Sequence, residues 1–333
     1  MLLVGGRARN GSAGESELAR VQQQLDDLEA GWRREQMEAA RVAAIPPPES
    51  NSAEIISKAE ALIPRTSPAK LEVVYGDALL PPRVPSAKWH ATPVANFRPL
   101  NSHIEEVREE LVAQEGALEI ARALKDFPRG GWTIVYAEPA AITPLVHLQL
   151  VGLVSTLLMV DAEMALLDRD LPRWLGSMAA VVNAGRSIGD EWLGWSQLQR
   201  SAGMLRAARG VDQALAWVEL PDEHLKRVQE MLAEEDRRPS SLPLVIRGER
   251  AMWSEAFDVW KSGRWGAPPN PTNANTPGGS TFGLAIGKPE GIEERLANWW
   301  HRGSLDTDHA RYLELVTEFA EECTGSHERQ MAA

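Results

Sequence analysis

The chain has 333 residues, 44% apolar and 25% charged, the composition of a soluble globular protein able to bury a substantial core. Its 47 acidic and 35 basic residues leave a net charge of −12, which argues against a nucleic-acid binder held by phosphate contacts and against adsorption to anionic lipid. Cys323 is the single cysteine, so neither an intrachain disulfide nor a zinc site of several thiolates can form.

Residues 1–14 are small, polar and Gly-rich and predict disorder. Leu18, Val21, Leu25, Leu28 and Trp32 then step by three and four. That is a coiled-coil-like seam over two heptads, or more simply a helix laying one stripe on a neighbour. Pro46, Pro47 and Pro48 stop it, because proline lacks the N–H and clashes with the preceding turn. A short helix is expected over Asn51–Ile63, and the Pro-rich stretch from Pro64 to Pro99 reads as a linker. Ser102 and Glu105 have the form of a capping box opening a helix through Leu124. Trp132–Ala137 is rich in β-formers and suits a short extended segment.

From Pro139 to Val160 no residue is charged. About 20 apolar residues cross a bilayer, but His147, Gln149, Ser155 and Thr156 favour a helix buried among other helices. The expected helix runs from Leu145 to Leu167 and leads into a central hairpin. Before the turn Arg186–Glu191, apolar residues fall at Trp174, Met178, Val181, Val182 and Ile188; after it, at Trp192, Trp195, Leu198, Ala202 and Leu205. Gly189 suits the left-handed residue that ends a helix, and Asp190 is placed to cap the next. Pro221, Asp222 and Glu223 start a further helix that ends in the charge run Glu234–Arg238, read as a solvated helix end. The helix after Pro243 carries Ile246, Trp253, Phe257 and Trp260. A long Pro/Gly/Asn-rich loop, 263–291, precedes two final helices, Ile292–His301 and Asp308–Cys323. The second has its apolar stripe at Tyr312, Val316, Phe319 and Cys323.

Several of these pieces together resemble a family of uncharacterised bacterial α-helical proteins, usually with an N-terminal membrane anchor and loosely tetratricopeptide-like. The matching pieces are Pro144–Leu148, Arg186–Glu191, Ser196–Leu198, Arg247–Ala251, Asn51 with its preceding prolines, and Ala310–Leu313. The resemblance runs in register over residues 44–322. It implies an all-helical envelope protein packed as hairpins and no known activity. The apolar span expected before the first polar helix is missing; Met1–Gly5 is read as the tail of such an anchor.

The seven histidines are His90, His103, His147, His224, His301, His309 and His327, and none shows the His-Glu-x-x-His spacing of a zinc hydrolase. His301 and His309 flank a turn with Asp306 and Asp308, which reads as solvated rather than metal-binding. His147 reads as a hydrogen-bonded core histidine and Cys323 as a small core residue. No nucleophile elbow, dinucleotide fingerprint or Walker loop occurs; Gly283–Lys288 is one residue short of the last and Pro289 replaces its hydroxyl. Arg186, Asp190, Glu191, Gln197 and Arg200 are the best polar group, either lining a pocket for a peptide carboxylate or tying the hairpin to its own loop.

The expectation is therefore an all-α fold of antiparallel hairpins stacked as an irregular tetratricopeptide-like array, with about seven to nine helices. Its parts are a disordered start and polar coiled-coil-like helix (1–45), a linker with one short helix (46–100), a helical core (101–325) and a disordered tail (326–333). No catalytic, cofactor or metal residue is assigned. The expected function is a non-enzymatic protein- or peptide-binding scaffold of the bacterial cell envelope. The alternatives are a hydrolase-type enzyme with the 263–291 loop as its lid, and an oligomeric envelope component assembled through Leu18–Trp32. No nucleic-acid partner is expected; membrane association through an N-terminal anchor and homo-oligomerisation are. Without such an anchor the location reads as cytoplasmic.

Overall fold

The structure is a computed structural model that describes residues 2–63, 101–262 and 305–332, with side chains for 13–63, 104–262 and 305–323. All regular structure among these residues is helical. The linker 64–100, the loop 263–291 and the helix expected over Ile292–His301 lie outside them.

The centre is a run of three helices, α6 (Val146–Leu167), α7 (Leu171–Arg186) and α8 (Gly194–Trp217). Asp170 caps α7 by accepting from the Arg173 N–H at 3.1 Å, and Pro172 sits in its first turn, where a missing N–H costs nothing. Helices α6 and α7 run antiparallel, since Asp161 meets both Arg173 and Ser177 across the hairpin. Helix α8 is antiparallel to α7 in turn, with Gly203 against Gly185 and Gly210 against Met178. By length and composition α6 is apolar enough to cross a bilayer, yet 67% of its apolar window is buried inside the protein. Val154, Leu157, Leu158, Met178 and Val181 make the middle of this core.

Around it pack α3 (Ser52–Glu60), α4 (Asn101–Ala113), α5 (Glu115–Arg122) and α9 (Asp222–Asp236). The short helix read as part of a linker is thus built into the main core through Ile56 and Ala59. Asn51 explains its placement. The buried Oδ1 accepts from the Ala53 N–H, capping α3, and from the Gly131 N–H; Nδ2 donates to the Gly131 carbonyl, each at 3.0 Å. One side chain therefore starts a helix and pins the segment 127–137, which has no regular structure and pairs with no strand.

A second layer joins the two ends of the chain. Helix α1 (Leu2–Leu28) takes in residues whose composition suggested disorder, and α11 (Leu305–Ala332) includes the expected tail. They run parallel, with Gly14 beside Thr307 and Arg20 paired to Glu314 at 2.8 Å. Helix α10 (Leu242–Lys261) packs antiparallel against α11. Leu18, Val21, Leu25 and Trp32 are buried against Ala310 and Leu313. Arg250, 1% exposed, ties the layer together by donating to Glu29 at 2.5 Å and to Thr317 at 3.2 Å. A small third cluster, with Met37 of α2 (Arg34–Ala43), Trp192 and Met252, joins the two layers.

Candidate functional site

Antiparallel α10 and α11 leave a groove of about 510 Å³ between them. Its walls are Val245, Ile246, Trp253 and Phe257 from one helix and Tyr312, Val316 and Phe319 from the other. Large residues spaced three and four apart project from one face of each helix, so the two stripes meet without closing. Phe319 remains 52% exposed at the open end. Glu249 is the one carboxylate in the lining. Burial pushes its carboxyl above the ordinary value, against hydrogen bonds from the Gly194 N–H and the Trp253 indole. Tyr312 donates its hydroxyl to the Glu249 carbonyl at 3.1 Å, which fixes the groove wall. Asp308 and Glu322 lie exposed elsewhere on α11, while Glu318 and Arg311 face the side towards α1. The groove can thus desolvate an apolar side-chain row.

The polar residues of the central turn are dispersed among structural tasks. Gln197 donates to the carbonyls of Gly189 at 3.2 Å and Glu191 at 2.7 Å, and Arg200 donates to Gly189 at 3.3 Å. Arg186 is buried and pairs with Glu234 and Glu235 of α9, so the run Glu234–Arg238 anchors that helix instead of being merely solvated. Gly189 has the expected left-handed backbone, φ +65°. Asp190, however, is exposed and caps nothing: α8 starts four residues later, after Leu193, with no side-chain cap. The delay comes from Glu191 and Trp192, both buried, which hold the chain out of helix. Glu191 lies 3.0 Å from His147 Nε2, and Trp192 stacks on Tyr136 at 5.3 Å. His147 is thus hydrogen-bonded in the interior, as its sequence context suggests. Tyr136 in turn donates to Glu38 at 3.1 Å, beside Arg41.

A further constellation lies at the α10–α11 contact. Ser254 Oγ and His309 Nε2 are 2.9 Å apart, and His309 Nδ1 is 3.9 Å from Asp258. His309 is fully buried, which corrects the reading of its turn as solvated. Burial, and then the Lys261 charge, push its imidazole down to about 4, despite Asp258 and Asp306. The order serine–histidine–carboxylate is that of a hydrolytic triad, but the geometry is not. Ser254 is buried in mid-helix, and the acid is beyond hydrogen-bond range. A histidine neutral down to about pH 4 and a serine sealed from solvent describe a core hydrogen bond. Its members are 55 residues apart, so no local spacing could have announced it. Among the described residues no group of three or more His, Cys, Asp and Glu side chains is placed to hold a metal. Cys323 is half-buried on α11. The side chains of His90, His103, His301 and His327, and Gly283–Lys288, lie outside the described residues.

No family model, curated protein or solved structure matches the chain.

Proposed function

We propose that the protein is a non-enzymatic helical interaction module, which holds an amphipathic helix of a partner protein in the α10–α11 groove. The observation that carries this reading is the groove itself: two helical stripes of large apolar residues, facing each other and left open. Helix-in-groove recognition needs such a trough and a partner with apolar residues at steps of three and four. The net charge of −12 favours a partner whose polar face is basic. The stacked hairpins α6–α7, α7–α8 and α10–α11 are compatible with a tetratricopeptide-like array. Placement in the cell envelope rests on the resemblance in residues 44–322.

The tryptophans lend less support than the groove does. Of those described, Trp32, Trp174 and Trp192 are buried, and only Trp195 is exposed by more than half. Trp253 contributes to the groove wall. The Leu18–Trp32 stripe, offered above for oligomerisation, is occupied within the chain by α11.

A photo-crosslinking residue at Phe319 should trap a discrete protein adduct in the native cell, while one at Glu230, on the open face of α9, should not. Phe319→Glu should weaken the isolated complex about tenfold or more, since burying one such side chain is worth roughly 1.5–3 kcal/mol. Identical crosslinking patterns from the two positions would reject the groove as a binding site.

A further inference from the structure

Helix α8 carries two apolar stripes, and the described chain covers only one. Gly203, Ala207, Gly210 and Ala214 face the core. On the opposite side Trp195, Leu198 and Leu205 are 51%, 58% and 54% exposed. With Ala202 between them and Arg209 after them, they step by three and four along a single line. Scattered exposed hydrophobics are ordinary on a protein surface; an aligned row on one helix marks a contact.

The order of residues within the row says what fits it. Ala202, the smallest, stands in the middle. Leu198 and Leu205 lie on either side of it, an aromatic residue ends the row at Trp195, and a cation ends it at Arg209. Arg209 is exposed, and neither it nor Arg206 makes an ion pair among the described residues. Arg206 Nη1 is also buried without an acceptor. The row is therefore complementary to its own reverse. Laid antiparallel about a two-fold axis at Ala202, each Leu198 meets the partner's Leu205. Each Arg209 guanidinium falls on the partner's Trp195 indole, and the small central residues let the backbones approach.

We propose that two copies of the chain associate through α8 in this antiparallel arrangement. The contact is small compared with the roughly 800 Å² per partner of a standard stable interface, so the dimer is weak and forms reversibly with concentration. It uses none of the residues lining the α10–α11 groove and stands independently of that reading.

Sedimentation velocity of the full chain over a concentration series tests it. The wild type should shift from monomer towards dimer, and Leu205→Glu should weaken that shift about tenfold or more. Arg209→Glu should weaken it too, with circular dichroism of both variants unchanged. The register has its own readout, with Cys323→Ser in the background. Mild oxidation should link Ala202→Cys to itself, and should link Leu198→Cys to Leu205→Cys in a mixture but not to itself. A monomer at every concentration overturns the proposal, and is the result expected if another segment of the chain or a different protein covers the row. A dimer unaffected by Leu205→Glu overturns it equally.

Discussion

Two carboxylates separated by one residue in α6 are both buried, and their surroundings drive them in opposite directions. Asp161 is fully buried, and burial alone would raise its carboxyl. Hydrogen bonds from Arg122, Arg173 and Ser177 outweigh that and hold it below the ordinary carboxylate range. Glu163 is also buried but has a single side-chain donor, Gln213, so desolvation wins and its carboxyl is pushed up to about 7. The folded state then binds the Glu163 proton more tightly than the unfolded chain, whose carboxyl stays near 4.5. Its contribution to stability is fully present below that value and is lost as pH rises to about 7. Glu163→Gln should therefore raise stability by on the order of 2–3 kcal/mol at about pH 8 and change it little at about pH 4.5. Denaturant unfolding at the two pH values reads this directly, and an equal effect at both would show that Glu163 does not titrate in this range.

At the scale of the element, α8 shows how packing chooses between two faces that hydropathy ranks the other way. Trp195, Leu198 and Leu205 form the more apolar line, the one that the three-and-four spacing after the turn picks out. The structure turns them out, because α7 and α8 come too close for large side chains. A Cβ on Gly203 would lie 3.4 Å from the Gly185 Cα, and one on Gly185 would lie 3.2 Å from the Arg200 carbonyl oxygen. Close backbones gain dispersion along the whole contact, and only the small face permits them. Gly203→Val should wedge the helices apart and cost about 1–3 kcal/mol. Leu205→Ala, on the outer side, should change the stability of dilute protein by less than about 0.5 kcal/mol. Thermal melts of the two variants compare them, and a larger loss from Leu205→Ala would reverse the assignment of the faces. The stripe on α11 was likewise visible, but only its distance from α10 makes a groove of it.

At the scale of the molecule, two layers share one chain: a central stack α3–α9, and an outer layer in which α1 and α11 close the two ends over α10. The outer layer depends on α1, whose Leu18, Val21 and Leu25 cover Ala310 and Leu313. Removing residues 1–45 should expose that cluster and leave Arg250 without its Glu29 partner. Because a buried charge left unpaired costs about 3–5 kcal/mol, the α10–α11 hairpin should then open well before the central stack. Hydrogen exchange would show it as fast amides in α11 with protection retained in α6 and α7. Uniform protection in both layers would mean that α1 is an accessory helix.

The amino-acid sequence determined the helices and several of their joints by itself. Runs at steps of three and four mark α7, α8, α10 and α11, and an uncharged run marks α6; Gly189 ends one helix because it alone takes φ +65° cheaply, and prolines mark several starts. These are local matters, decided by rotamers, caps and backbone freedom within a few residues. Tertiary structure decided the rest: which of two apolar faces of α8 is buried, that Trp32 and Arg250 share a pocket, that Ser254 meets His309, and that the α10–α11 stripes stay apart. Each depends on the distance between segments remote in sequence. Such distances follow from the volumes and backbone approach that all the helices settle together, which no single stretch of the chain contains.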